Sequence, residues 1–319
     1  MLVDGKWAAN WQPIQAKDGD GRFVRQTSSF RHWVTADGRP GPTGSGGFKA
    51  EAGRYHLYVA LICPWASRVL MVRNLKKLHD VIDITVVEPF LTDQGWAFGT
   101  YRGADRDPLH KARHLHQIYT LADANFTGRA TVPVLWDKHR NTIVNNESAD
   151  LMRILNSAFD AFGDAGVDLF PGHLRSEIEA LNTPLYAHLN NGVYKAGFAS
   201  SQAAYDEAVS GVFATLAGLE QRLANGGPFL FGEPMTESDL RLFVTLIRFD
   251  IAYFGAFKCN ILRLCDHPAL QAYMERMLAV PAIRSTVNLD HIKAGYYSIL
   301  ALNPSGIVPA GPDLAPGWP

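Results

Sequence analysis

Cys63 stands where an alternating, strand-like run, Tyr55-His56-Leu57-Tyr58-Val59-Ala60-Leu61, gives way to a helical pattern opening with Pro64. The segment Ile62-Cys63-Pro64-Trp65-Ala66-Ser67-Arg68 therefore puts a lone thiol at the positive end of a helix. Unpaired backbone N–H groups and the macrodipole favour a thiolate there, and such a setting lowers a cysteine pKa from ~8.5 into a range of roughly 3.5 to 7.5. Proline suits the first helical position, because its missing N–H has no intrahelical partner to lose. Ala66 occupies the place where a two-cysteine motif puts its second thiol. A single cysteine so placed suggests thiolate chemistry with glutathione. Cys259 and Cys265 lie in a helix-rich region without such a setting and read as structural.

The elements that must hold this thiol are readable around it. Trp65, Val69, Val72 and Leu75 share one helical face, with Arg73, Lys76 and Lys77 toward its negative end; Trp65 reads as core. Strands are expected over 81–87, 132–136 and 142–145, and helices over 108–121 and 147–155. The stretch 88–129 is long for a connection, so it is expected to be functional or to carry its own helix. Beyond the Gly/Pro-marked residues 163–172, helices are expected over 174–190, 201–223, 237–254 and 268–278, with a short one from Pro281. Thr236-Glu237-Ser238-Asp239 has the form of an N-cap.

Residues 1–53 read as an irregular arm, with six glycines and two prolines over 36–53. Trp7, Trp11, Phe23, Phe30 and Trp33 are costly to leave in water, so the arm is expected to wrap the body. The expected fold class is α/β plus all-α. It comprises an arm over 1–53, a small α/β module over 54–160 and a helical domain with a C-terminal tail over 172–319.

Composition narrows the classes. At 319 residues the chain suggests about two domains, large enough to fold without disulfides. A net charge of −1 and the lack of a dense basic run argue against a nucleic-acid partner. The first residues lack the pattern of a signal peptide, and no run approaches the ~20 apolar residues of a membrane helix. Three cysteines make no disulfide framework here, which favours a reducing compartment and a cytoplasmic protein. In the run from His110 to His116, which also holds His114, histidines four apart on a helix have a spacing that can bind zinc. No third acidic or cysteine ligand stands out nearby, so they read as a solvated face and no metal is expected.

Cys-Pro-Trp-Ala at 63–66, the Val132-Pro133 step, Glu147-Ser148 at a helix start and the helical region behind them together resemble a glutathione transferase. More narrowly, the chain resembles the glutathionyl-hydroquinone reductases, the xi class. The runs GRATVPVLWDK at 128–138, VNNESADL at 144–151, NNGVYKAGFA at 190–199 and NPSGIVPAGP at 303–312 carry that resemblance, with 248–260 and 291–297. It implies a thioredoxin-like N-terminal domain followed by a helical glutathione-transferase C-terminal domain. Two departures are visible: Ser67 stands where relatives commonly have histidine, and Ser298-Ile299-Leu300 where they often have Ser-His. Both bear on substrate range and rate rather than on the thiol.

The resemblance also assigns roles. Cys63 is the expected nucleophile. Val132-Pro133 is expected to be cis and to face it, with Arg129, Ala130, Thr131 and Val132 contributing to the glutathione site. Glu147 and Ser148 offer backbone donors, a carboxylate and a hydroxyl to the γ-glutamyl end. Read alone, the same residues are also good helix caps. Trp96 resembles a glutathione-packing indole, a role compatible with anchoring its own loop. Tyr194 is the expected general acid/base, with Tyr253 and Tyr296 placing the substrate. Taken without the resemblance, these phenols read as ordinary core or surface tyrosines.

Phenols suit a specific problem. A thiolate attacking the sulfur of an aryl thioether must expel an aryl carbanion, whereas the ketonised hydroquinone expels an enolate. The expected activity is glutathione-dependent reduction of S-glutathionyl hydroquinones, without a metal, membrane or nucleic acid, in a homodimer. The alternatives are an omega-like thiol transferase or dehydroascorbate reductase, and a non-catalytic ligand-binding scaffold.

Overall fold

A hairpin begins the chain, its strands β1 (Leu2–Val3) and β2 (Lys6–Trp7) joined by Asp4 and Gly5 at φ 45° and 72°. Two positive φ angles are what a type I′ turn demands, and Asp-Gly supplies them cheaply. Leu2 pairs through both backbone groups with Gly128. The computed structural model describes residues 1–8, 16–44 and 46–312, so Trp11 lies outside the described residues. Two units follow from the packing: Met1–Pro13 with Gln26–Asp168, and Ile14–Arg25 with Leu169–Pro319.

In the first unit, β3 (Trp33–Thr35) pairs in parallel with β4 (Gly47–Lys49). Next come β5 (Tyr55–Val59), α1 (Pro64–Leu75), β6 (Asp83–Val86), a hairpin of β7 (Leu91–Thr92) and β8 (Gly95–Trp96), and α2 (Leu115–Ala122). The unit closes with β9 (Val134–Asp137), β10 (Thr142–Asn145) and α3 (Ser148–Ser157). The main sheet has the order β10-β9-β5-β6, with β6 parallel to β5 and β9 antiparallel to it. That is the mixed sheet of a thioredoxin-like domain. All five residues of β5 are buried, as a central strand covered on both faces requires.

The second unit is helical, with α4 (Arg175–Pro184), α5 (Gly192–Gly197), α6 (Gln202–Gly226) and α7 (Glu237–Arg248). It continues with α8 (Pro268–Leu278), α9 (Pro281–Arg284) and α10 (Leu289–Tyr297). No described helix is long and apolar enough to cross a membrane.

Several expected elements differ in extent. The helix expected over 108–121 starts only at Leu115, because the Asp107 carboxylate accepts from the amides of Leu109, His110 and Ala112 and ties them into a turn. The strand expected from residue 132 starts at Val134, past a proline that cannot donate to a ladder. The helix expected over 174–190 changes at Pro184, after which Leu185–Asn190 is π-helical. Likewise α7 ends at Arg248, and Phe249–Tyr253 continues as a π-helix. The histidines expected on a solvated face are half-buried: His110 packs on Trp136 at 4.8 Å, and His116 lies between Trp7 and His114 at 4.6 and 5.4 Å.

Candidate active site

Cys63 is the N-cap of α1, half-buried, with extended backbone angles and Pro64 directly behind it. Its Sγ lies 3.7 Å from the carbonyl oxygen of Val132, and the Val132–Pro133 bond is cis. The Ser67 hydroxyl donates to the Cys63 carbonyl at 3.0 Å. The other thiols are in different settings. Burial pushes Cys259 up to about 12, which leaves it an inert thiol, and Cys265 is exposed. Trp65, read from the sequence as core, is only half-buried, and the Arg68 guanidinium stands 5.0 Å over its ring.

A second cluster surrounds the start of α3. Glu147 is its N-cap, its carboxylate accepting from Ala149 N–H at 3.1 Å and from the Ser28 hydroxyl at 2.9 Å. Capping is thus one use of this carboxylate, and its side chain keeps 30% exposure beyond it. Ser148 Oγ accepts from Arg68 Nε and Nη2 at 3.2 and 2.6 Å, and Nη2 is 3.9 Å from Glu147. Arg68 lies on α1, five residues after Cys63, so one buried cation links the thiol's helix to the Glu147-Ser148 helix start.

The Tyr119 hydroxyl makes the matching link on the other side. It joins Thr131, the residue before Val132, to Asn146, the residue before Glu147. Arg129 and Ala130 lead into this step half-exposed, and Trp96 lies half-buried on β8 opposite Leu91. Cys63, Val132, Thr131, Glu147 and Ser148 are therefore tied together by direct contacts or through single side chains. Trp96 sits on β8, and Arg129 and Ala130 directly precede Thr131 in the chain.

The second unit gathers the three tyrosines. Tyr296 Oη lies 2.7 Å from Tyr194 Oη and 3.1 Å from Tyr253 Oη, a continuous chain of hydroxyls. Tyr253 and Tyr296 are buried and Tyr194 is half-exposed. Burial first, then the neighbouring Tyr194, holds Tyr253 and Tyr296 well above the ordinary tyrosine range, so both stay protonated donors. The Phe257 ring meets all three tyrosines, with centroids 5.4, 5.1 and 5.3 Å away from Tyr194, Tyr253 and Tyr296. Tyr194 follows the first π-helical segment and Tyr253 ends the second, a backbone form frequent at functional sites.

Sequence reasoning passed over Arg68, Tyr119 and Phe257. Their partners lie far along the chain: 80 residues separate Arg68 from Ser148. The accessible signal was an arginine within the apolar run of α1, a charge that folding buries only with a partner.

Residues 62–158 match the glutathione S-transferase N-terminal domain and 202–276 the glutathione S-transferase C-terminal domain. The chain is 49% identical over 314 residues to glutathionyl-hydroquinone reductase YqjG of Escherichia coli (strain K12), covering 98% of this chain and 95% of that protein. It is 44% identical over 313 residues to glutathionyl-hydroquinone reductase PcpF of Sphingobium chlorophenolicum, covering 98% and 96%. The glutathione-bound structure of YqjG superposes with a TM-score of 0.89 at 47% identity over 98% of this chain and 95% of that one. The glutathione S-transferase Xi from Phanerochaete chrysosporium gives 0.89 at 43% identity over 95% and 97%. A cysteine-capped helix on a thioredoxin-like sheet, followed by a helical domain, defines a glutathione transferase, and the chain belongs to that family. Within it, its place is with the xi-class glutathionyl-hydroquinone reductases.

Proposed function

We propose that the protein reduces S-glutathionyl hydroquinones with glutathione as co-substrate. The Cys63 thiolate attacks the glutathionyl sulfur of the ketonised substrate and the carbon–sulfur bond breaks. Its electron pair leaves as an enolate, which takes a proton and becomes the hydroquinone. A Cys63–glutathione mixed disulfide remains, and a second glutathione attacks it to give glutathione disulfide and free Cys63. The ring carbon gains two electrons and two sulfurs lose them, so the cycle balances without another reductant.

The observation that supports this reading best is the chain of three phenol hydroxyls in a protein that also places a cysteine at the N-cap position of a helix. Disulfide exchange moves protons only on sulfur, whereas ketonisation needs a proton delivered to ring carbon and one taken from the ring hydroxyl. In this reading Tyr194 carries the proton, and Tyr253 and Tyr296 hold the ring oxygen. Glutathione lies along Trp96, Arg129, Ala130, Thr131, Val132, Glu147 and Ser148. The protein works as a cytoplasmic homodimer without a metal; sedimentation as a monomer would remove the dimer from this description.

The deciding experiment incubates the protein with a glutathionyl hydroquinone and glutathione and follows hydroquinone release. Wild type is expected to release it with ping-pong kinetics, and Cys63→Ser to fold but release none. Full activity in Cys63→Ser, or intersecting double-reciprocal lines, removes the mixed disulfide from the mechanism. No hydroquinone release with prompt reduction of a small mixed disulfide would favour the omega-like thiol transferase.

A further inference from the structure

The arm contributes to the tyrosine cluster. Phe23 is buried and stacks near Phe198 at 5.6 Å and Tyr194 at 6.4 Å. Two residues on, the Arg25 guanidinium carbon stands 4.7 Å from the Tyr194 ring centroid and 5.2 Å from that of Phe23. Arg25 Nε also donates to Asn191 Oδ1 at 2.7 Å, and Asn191 is buried at the start of the turn that carries Tyr194. A cation held by a hydrogen bond at one end and stacked over a phenol at the other has little freedom to leave.

We infer that Arg25 is a positioning residue for deglutathionylation, fixing the Tyr194 ring and stabilising the negative charge its oxygen carries while its proton is on the substrate. This rests on the assignment of Tyr194 as the acid/base. In the ketonisation step, Tyr194 Oη gives its proton to the ring carbon bearing sulfur, and the substrate's hydroxyl proton returns to Tyr194. No proton or electron is gained or lost overall. Between those transfers the phenol oxygen is anionic. Tyr296 donates to it, and the guanidinium above the ring attracts it through the face of the π-system. Tyr253 and Tyr296 stay protonated, so the charge has one place to reside.

The test compares Arg25→Gln, Arg25→Met and Arg25→Lys in the full-length protein, with thermal midpoints confirming the fold. Turnover of a glutathionyl hydroquinone should fall on the order of tenfold in Arg25→Gln and Arg25→Met, the scale of a partly desolvated cation–π contact, with KM within about twofold. Reduction of a small glutathione mixed disulfide, which needs Cys63 but no ketonisation, should be unchanged. Arg25→Lys should recover part of the loss, and Arg25→Gln should add little to Tyr194→Phe. Equal losses on both substrates, no loss, or multiplicative losses with Tyr194→Phe overturn the inference while leaving the tyrosine assignment intact. Unchanged hydroquinone turnover in Tyr194→Phe overturns the assignment itself, and the inference with it.

Discussion

Tyr119 grips Thr131 by both backbone groups, its hydroxyl accepting from the N–H at 3.1 Å and donating to the C=O at 2.8 Å. Asn146 Nδ2 donates to the same oxygen at 3.0 Å, so one O–H donor and two lone pairs are all used. The hydroxyl thereby sets the spacing between the residue before the cis step and the residue before Glu147. Tyr119→Phe deletes it and leaves an amide N–H, a carboxamide and a carbonyl short of a partner. A loss of about 1–3 kcal/mol is expected, the cost of unsatisfied buried groups. Urea denaturation reads that cost, and a glutathione titration reads the accompanying weaker binding. An unchanged glutathione Kd would separate the Thr131 backbone from the tripeptide site.

Arg68 is 2% exposed and holds Ser148 Oγ with two N–H groups. Arg68→Met keeps the stem in its apolar surroundings but removes the charge beside Glu147 and Ser148. Glutathione affinity should drop on the order of tenfold, equivalent to ~1.5 kcal/mol, the lower range for a hydrogen bond to a charged group. Isothermal titration measures it directly. Arg68→Lys should fail to restore affinity, because a single ammonium does not reproduce the paired N–H donors. Full binding by Arg68→Met would reduce this cation to a packing role.

What the sequence discloses is what neighbours in the chain decide. The thiol at the β5–α1 junction, the strand over 142–145 and the helix opening at Pro268 each rest on patterns a few residues long. The late start of α2 rests on one carboxylate, Asp107, choosing three nearby amides, a choice no apolar periodicity reveals. The tyrosine cluster is further from reach. Tyr194 and Tyr296 are 102 residues apart, so their hydroxyl contact exists only once helices have packed, and nothing in either segment's own pattern encodes it. The thiol's setting was legible in neighbouring residues and the tyrosine roles only through the family resemblance, whereas the contacts of Arg68, Tyr119, Phe257 and Arg25 are tertiary and were not.

Acid should weaken the fold through His56. Burial takes its pKa from the ordinary 6.5 down to about 4, keeping the ring neutral opposite the Thr85 hydroxyl. Between those values the unfolded chain binds a proton that the folded chain refuses, so stability falls as pH falls from about 6.5 to 4. His116 shifts in the same direction from a more exposed position, which makes its share smaller. Denaturation midpoints across that window should slope more steeply in wild type than in His56→Gln, which has no proton to take up. Identical slopes would mean that this imidazole titrates as freely in the fold as in the coil.

Gly197 and Gly218 both lie in helices, yet alanine should act on them with opposite sign. Helix propensity alone favours alanine over glycine by about 1 kcal/mol in a helix interior such as Gly218, and by less at Gly197, the last residue of α5. At Gly218, on the exposed side of α6, an added Cβ meets nothing within 4 Å, so the gain should be realised as a higher thermal midpoint. At Gly197 the same atom would sit 2.2 Å from Cδ1 of Phe257 and 3.0 Å from its Cβ, closer than packed carbons allow. Phe257 has to move, and its ring is the common neighbour of Tyr194, Tyr253 and Tyr296. Overpacking of this kind costs about 1–3 kcal/mol, enough to reverse the propensity gain. Gly197→Ala should therefore melt lower than wild type. It should also lose more turnover on a glutathionyl hydroquinone than on a small mixed disulfide, because the displaced ring disturbs the phenols and not the thiol. A Gly197→Ala protein with both activities and its midpoint intact would show that the aromatic cluster tolerates a shifted Phe257.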